Sequence, residues 1–210
     1  MNTNEIDKIF QLLLKDYPKP QTELKYKNQY TFLVSVVLSA QSTDVSVNKA
    51  TKYLFKIVKN PKDMVSLGEK NLKKYIKKIG LYNLKAKNII LLSKKLIKKY
   101  KRKIPKEFNE LISLPGVGNK TASVYQNTIL KKPRIAVDTH VFRVSNRIGI
   151  VSAKTTDLTQ SQLEKVVPKK RQMIAHHLLI LHGRRICKSQ KPYCNQCSLS
   201  SFCLYREKTN

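Results

Sequence analysis

The sequence contains one nine-residue stretch that decides how its neighbours are interpreted, Leu114-Pro115-Gly116-Val117-Gly118-Asn119-Lys120-Thr121-Ala122. Apolar residues at helical spacing lie on both sides of it. A proline and two glycines between such segments predict a tight turn, because glycine adopts positive φ without strain and lets another chain approach closely. We therefore predict that two helices meet here and that the second begins near Asn119, with Lys120 in its first turn.

The backbone of this turn is suited to binding a phosphate. The first N–H groups of a helix have no partner within the helix, and together with the N–H groups of the turn they point outward toward a ligand. The alternative is an ordinary helix connection with a solvated lysine, since short motifs of this kind also occur without a function. On the motif alone the two interpretations are evenly balanced.

Composition favours a nucleic-acid partner. The chain has 210 residues, of which 41% are hydrophobic, enough for a buried core in one domain or in two small ones. It carries 42 Lys and Arg against 13 Asp and Glu, a formal net charge of +29, and its pI is about 10.1. Such a charge is typical of nucleic-acid binders. A biased genome would also raise the lysine content, so we predict DNA affinity without assigning it to single surface lysines.

Nothing in the sequence indicates a membrane protein. No run reaches the roughly 18–20 apolar residues of a membrane span, and the N-terminus lacks the basic-then-apolar pattern of a signal peptide. We expect an intracellular, cytoplasmic and nucleoid-associated monomer. In a reducing compartment its four cysteines are expected to be metal ligands rather than disulfides.

Apolar spacing predicts an all-α fold, because residues recur with a helical period and no two strand-like runs are present to pair. Residues 30–40 are apolar nearly all round and fit a buried strand or a buried helix, and we predict a helix. Thr43 and Asp138 are the expected N-caps of two helices. The helices are expected at 5–17, at 30–40, from 44 onward, from Asn60-Pro61 to Gly68, from about 72 to Gly80, from about 89 to Tyr100, from Pro105 onward, after the hairpin turn, from Asp138 to Gly149, and around 159–167 and 170–184.

The four cysteines form a compact C-terminal loop. Six, two and five residues separate Cys187, Cys194, Cys197 and Cys203 in turn. This is a strong metal-binding signal. Zinc also takes four thiolates, but zinc modules usually bring two close pairs, and here only Cys194 and Cys197 form one. Spacing alone leaves a zinc site and an iron–sulfur cluster nearly equal.

A second motif follows the hairpin, with Asp138 placed eighteen residues after Lys120 in Val137-Asp138-Thr139-His140-Val141. Together with 38–50, 79–83, 180–184 and the cysteines, these stretches resemble the helix-hairpin-helix DNA glycosylases, and the endonuclease III family closely, over nearly the whole chain. The resemblance implies a six-helix domain at 22–132, with the hairpin at about 107–130, and a helical iron–sulfur domain formed by 1–21 and 133–210, with a DNA cleft between them. The family has the same cysteine spacing, which implies one [4Fe–4S] cluster per chain, of structural role.

The resemblance also implies a base excision repair enzyme, a bifunctional DNA glycosylase and apurinic/apyrimidinic lyase acting on oxidised pyrimidines in duplex DNA. An amine can attack C1′ of a damaged nucleoside, displace the base and leave a Schiff base that permits β-elimination. The family assigns that amine to Lys120. It assigns to Asp138 the stabilisation of positive charge on the sugar and the relay of protons. The alternative for Asp138 is a helix cap only.

Further contacts with DNA are expected on the same basis. A base inside a duplex must be flipped out to react, and Gln41 and Leu81 are the side chains implied to fill the gap. The cysteine loop carries Lys188 and Lys191, with Arg184 and Arg185 just before it, and these cations would face phosphates. Asp44 and His140 are candidate auxiliary residues, and His140 would tune Asp138. The remaining expected DNA contacts are Gly116, Val117, Gly118 and Lys120, whereas His176, His177 and His182 are expected to be packed structural residues.

Two other functions fit part of the sequence. An adenine glycosylase of the same iron–sulfur type resembles the chain up to the cysteines, but it lacks the hairpin lysine and carries a large C-terminal recognition domain. A DNA-binding module without catalysis, stapled by a metal, would need only the basic surface and the hairpin. Lys120 disfavours the adenine glycosylase, and the presence of both Lys120 and Asp138 disfavours the DNA-binding module without catalysis.

Overall fold

The computed structural model describes residues 1–205 and 207, and within them all regular structure is helical, as predicted. None of these helices is both long enough and apolar enough to cross a membrane. The helices are α1 Thr3–Asp16, α2 Gln29–Ser39, α3 Asp44–Ile57, α4 Pro61–Ile76, α5 Tyr82–Tyr100, α6 Phe108–Ile112, α7 Asn119–Thr128, α8 Thr139–Ile148, α9 Thr156–Val166 and α10 Lys169–Arg185, followed by a short 3₁₀ helix at Cys194–Gln196.

The chain forms two compact units. The central unit is Glu23–Leu130, and the terminal unit combines Met1–Thr22 with the chain from Lys131 onward. Helix α2 lies inside the core of the central unit, where nine of its eleven residues are buried. Each large apolar side chain buried in this way contributes roughly 1.5–3 kcal/mol. The surrounding contact on every face explains why α2 has no polar side and why its sequence resembled a buried strand.

The terminal unit has its own core. Helix α10 packs on both α8 and α1, and α9 packs on α8. Phe10 and Leu13 of α1 are fully buried together with Val141 and Leu178. Helix α1 is also fixed at the surface, where the Asp7 carboxylate accepts hydrogen bonds from Lys170 and Arg171.

Helix ends follow the sequence in most places. Thr43 and Asp138 are N-caps, as predicted, because their side-chain oxygens accept from backbone N–H groups in the first turns of α3 and α8. Such a cap is worth about 0.5–2 kcal/mol. Gly68 breaks the helical geometry inside α4, with φ 76° and ψ 160°, at the point where one helix was expected to close.

The prediction that a helix starts at Pro105 was wrong. Helix α6 begins at Phe108, with Glu107 as its N-cap. Pro105 is buried in an irregular segment, and the carbonyl of Lys106 accepts a 2.8 Å hydrogen bond from the side-chain amide of Gln126. This tertiary bond supplies a partner for a backbone group that a helix would have used internally.

The hairpin turn connects α6 to α7 and depends on Gly116. This residue has φ +79°, and a Cβ placed on it would lie 3.0 Å from Asn88 Cβ and 3.3 Å from Val37 Cγ1. Gly118 differs, because its φ is −94° and a Cβ there would meet nothing within 4 Å. Between them Val117 is buried and its N–H donates to the carbonyl of Leu114.

We therefore expect Gly116→Ala and Gly118→Ala to differ in stability. A side chain in the left-handed region costs about 1–2 kcal/mol, and the tight contacts at Gly116 add to this cost. At Gly118 the weaker capping by alanine is offset by the lower entropy of the unfolded chain, so the net change should be within ~0.5 kcal/mol. Thermal unfolding of the two variants beside the parent protein measures the difference. Equal midpoints would contradict the role of Gly116.

Candidate functional site

The hairpin presents Lys120 at the start of α7. Its side chain is exposed in the first turn, two residues after the N-cap Gly118. Gly118 brings no capping side chain, unlike Thr43 and Asp138 at the starts of their helices. The first turn of α7 thus combines the positive end of a helix dipole, an approachable glycine and an amine.

Gln41 and Leu81 lie on two neighbouring loops of the central unit. Both residues are exposed, and both adopt the left-handed conformation, with φ 53° and 57° respectively. This conformation costs a non-glycine residue about 1–2 kcal/mol, so surrounding contacts must hold it. The loops approach closely, because a Cβ on Gly80 would lie 3.5 Å from the carbonyl oxygen of Gln41. Asp44 follows nearby as the first residue of α3.

Asp138 serves as a cap in the terminal unit. Its Oδ1 accepts from the backbone N–H groups of His140 and Val141, each at 2.9 Å. The imidazole of His140 is partly enclosed, and burial lowers its pKa while the nearby Asp138 carboxylate acts in the opposite direction. The carboxylate of Asp138 thus acts on the pKa of its sequence neighbour His140 against the effect of burial.

Arg143 is a residue that sequence reasoning missed. Its guanidinium donates to the carbonyls of Gly183 and Cys187 at 2.9 and 3.0 Å, and it lies 3.2 Å from His140 Nδ1. One side chain thereby joins the helix of Asp138 to the start of the cysteine loop. The sequence showed only that Arg143 occupies a position in a predicted helix, and this does not reveal hydrogen-bond partners some forty residues away in sequence.

The four cysteines line one cavity in the terminal unit, and this cavity is partly open to solvent. All four are free thiols. Burial raises the pKa of the Cys197 thiol, and the other three cysteines act in the same direction. Within the described chain, no three His, Cys, Asp or Glu side chains are grouped so that they could hold a single metal ion.

Cations and a histidine surround the cysteine cavity. Arg147 Nη1 lies 3.8 Å from the Cys187 sulfur, and the same guanidinium donates to the carbonyls of Lys188 and Ser189. His182 is buried, as expected for a structural residue, and its Nε2 lies 3.5 Å from the Cys197 sulfur. Burial lowers its pKa to about 4.

The remaining predicted residues fall into two groups. Arg184 and Lys191 are exposed at the end of α10 and in the cysteine loop, and Lys191 has a left-handed φ of 47°. His176 is buried, and its ring centroid lies 3.7 Å from that of His177, so these two histidines are packed as expected.

Comparison with known proteins places these features in a family. Residues 34–169 match the family model described as HhH-GPD superfamily base excision DNA repair protein. The chain is 53% identical to endonuclease III of Rickettsia prowazekii, over 98% of this chain and 97% of that protein. It is 44% identical to endonuclease III of Escherichia coli K12, over the full length of both.

A solved structure agrees with the sequence relatives. It is described as a trapped endonuclease III–DNA covalent intermediate, and it superimposes with a TM-score of 0.92 at 40% identity, covering 97% of this chain and 96% of that one. The all-helical architecture is therefore that of the helix-hairpin-helix glycosylases. Given a family model that spans well over half of the sequence and relatives that match almost all of it, this chain belongs to the HhH-GPD superfamily of base excision DNA repair proteins, as a DNA glycosylase of the endonuclease III type.

Proposed function

We propose that the protein removes oxidised pyrimidines from double-stranded DNA and then cleaves the strand on the 3′ side of the abasic site, with Lys120 as the nucleophile. The observation that carries the proposal is the exposed amine in the first turn of the hairpin helix. A covalent intermediate with DNA is described for a similar endonuclease III structure, and such an intermediate requires a nucleophile.

The chemistry of the amine accounts for both activities. The Lys120 nitrogen forms a bond to C1′ while the glycosidic bond breaks. The electron pair of the broken bond leaves with the base, which takes up the proton that the attached nitrogen gives up. The sugar ring then opens to an iminium, which makes a C2′ proton acidic. Loss of that proton moves an electron pair into the sugar chain and expels the 3′ phosphate, and water finally releases the lysine.

Binding to DNA precedes this chemistry. An amine attacks as the free base, and removal from water favours the uncharged form. Because Lys120 is exposed in the structure, bound DNA has to supply that enclosure. The backbone of Gly116, Val117 and Gly118 receives a phosphate in our proposal, supported by the open space at Gly118 and the positive end of α7. Arg184 and Lys191 supply further phosphate contacts.

Borohydride should trap the enzyme on duplex DNA that contains thymine glycol, because it reduces the Schiff base to a stable amine. The adduct should disappear in Lys120→Ala and in Lys120→Arg, since a guanidinium stays protonated. Gel electrophoresis of the labelled duplex measures the adduct. An undamaged duplex and one with mispaired adenine test the choice of lesion.

Lys94→Ala is the matched control, because Lys94 is an exposed lysine on α5 and its loss changes the charge by the same amount. It should keep the adduct. An unchanged yield in Lys120→Ala would refute the nucleophile, whereas trapping on mispaired adenine but not on thymine glycol would refute the substrate.

We assign Asp138 to the stabilisation of positive charge on the sugar and to proton transfer, in addition to its cap. One carboxylate oxygen, Oδ1, accepts both capping hydrogen bonds. An asparagine preserves this cap and nearly the same volume, while it removes the charge. His140 tunes the carboxylate, and Asp44 acts as an auxiliary residue.

Asp138→Asn should therefore lower single-turnover base release by about 10²–10⁴-fold, the usual range for a positioned acid–base group. Its thermal midpoint should stay close to that of the parent protein. Asp157→Asn, an exposed change of equal charge in α9, should leave base release unchanged. Parental rates in Asp138→Asn would leave Asp138 with its capping role alone.

The cysteine cavity fits an iron–sulfur cluster in its donor set, since four free thiols line it and the Arg147 guanidinium lies beside it to offset thiolate charge. We propose that Cys187, Cys194, Cys197 and Cys203 hold one [4Fe–4S] cluster, a group with four thiolate ligands that ties the loop together when bound. We accordingly assign the iron–sulfur domain to 1–21 and 133–210 and the six-helix domain, with the hairpin at about 107–130, to 22–132. The two compact units support this division.

Protein purified without oxygen should be brown and contain about four irons per chain. Elemental analysis and the visible absorption spectrum measure this. Cys194→Ser should lose iron and colour, because each thiolate holds one corner of the cluster. One zinc per chain and no iron would overturn the assignment in favour of a zinc site.

A further inference from the structure

Lys85 is a buried cation beneath the loops of Gln41 and Leu81. Lys85 is only 5% exposed, and burial lowers the pKa of its side chain. The ammonium donates to the carbonyls of Leu38 and Ala40, at 2.9 and 2.6 Å, and to the hydroxyl of Ser42 at 3.0 Å. An ammonium has three N–H donors, so this set of oxygens satisfies it completely.

These contacts hold the Gln41 segment from both sides. Ala40 and Ser42 flank Gln41, and the same ammonium binds both of them. Leu38 belongs to the last turn of α2, where unpaired carbonyls and the negative end of the helix favour a cation. The strained φ of Gln41 is therefore fixed by a charge that arrives from another helix.

The backbone of the same residue holds Leu81. The N–H of Lys85 donates a 3.0 Å hydrogen bond to the carbonyl of Leu81, in the first turn of α5. Leu81 is the left-handed N-cap of that helix, and its side chain is 56% exposed. Lys85 thus contacts both loops, through its side chain on one and its main chain on the other.

We propose that Lys85 is a positioning residue that sets the spacing between Gln41 and Leu81 for base extrusion. The inference rests on the proposed function, in which these two side chains fill the gap left by the flipped nucleotide. Two wedge side chains act together only if their separation suits the duplex, and one rigid cation between their loops provides that separation. Removal of the ammonium frees the Gln41 loop while it leaves Lys120 and the hairpin intact.

The test compares two duplexes of the same length, one with the lesion fully paired and one with mispairs that already loosen it. Extrusion of the base costs more free energy from the paired duplex than from the loosened one, so a defect in extrusion should be larger on the paired duplex. Both duplexes carry the same phosphates, and a general loss of DNA affinity affects both equally. Single-turnover base release and the fluorescence of 2-aminopurine beside the lesion report chemistry and extrusion separately.

Four single substitutions are needed. Lys85→Met keeps the length of the side chain and removes the three donors, and Ser42→Ala removes one acceptor without creating a buried charge. Lys87→Met is the matched control, since Lys87 is exposed on the same helix and loses the same charge. Leu81→Ala is the reference for a lost wedge. Thermal midpoints of all four establish that they are folded.

Lys85→Met should slow base release by about 10²-fold on the paired duplex, a loss that a displacement near 1 Å can cause, and by less than about 3-fold on the loosened one. Ser42→Ala should show a smaller loss of the same pattern, and it carries the test if Lys85→Met does not fold. Lys87→Met should show no difference between duplexes. In the double variant with Leu81→Ala, the loss of base-release rate should be smaller than the product of the two single losses, because both substitutions impair the same extrusion step.

Two results separate the inference from the function on which it rests. Equal losses on both duplexes for Lys85→Met and Ser42→Ala, with Leu81→Ala still selective for the paired duplex, would overturn the role of Lys85 alone. Equal losses for Leu81→Ala would overturn the wedge itself and the inference with it.

Discussion

Peptide groups at helix ends need partners that the helix cannot provide, and most of the proposed site is built where this need is met. Gly118 opens α7 without a side-chain cap, and Lys120 follows in the first turn. Asp138 caps the N-terminus of α8 with its side-chain carboxylate. Lys85 binds carbonyls at the end of α2. The unpaired N–H and carbonyl groups at the helix ends, and the side chains that bind them, can therefore also hold a loop in place or contact a ligand.

The predicted fold depended on local rules, and it is correct where those rules act alone. The periodicity of α1 and α3 and the caps Thr43 and Asp138 involve residues within one or two turns of each other. The predicted start at Pro105 was wrong, and the carbonyl of Lys106 instead accepts from Gln126, a contact twenty residues away in sequence that local rules do not reveal. Lys85 was missed for the same reason, since its acceptors lie 43 to 47 residues earlier in the chain. The chemical roles of Lys120, Asp138 and the cysteines remain predictions, because residue identity and placement do not reveal reactivity.

Acidic residues are scarce in this chain, and several of them are engaged inside the fold. The Asp7 carboxylate binds Lys170 and Arg171, which hold its pKa down at about 2, and Glu164 accepts from Arg134 and from the N–H of Ile135. Few anions are left to offset the 42 Lys and Arg. The affinity for DNA that we propose should accordingly fall steeply with added salt, since each phosphate contact releases counterions.

The terminal unit is assembled from both ends of the chain, and this affects how the protein folds during its synthesis. Helix α1 leaves the ribosome early, yet its partners Lys170 and Arg171 lie 163 and 164 residues behind Asp7. At the usual 5–20 residues per second, the apolar face of α1 waits roughly 10–30 seconds for α10. The central unit is continuous and has time to fold in that interval. In a nascent chain of this protein the apolar residues Ile6, Ile9, Phe10 and Leu13 consequently lack this packing partner until α10 has been translated.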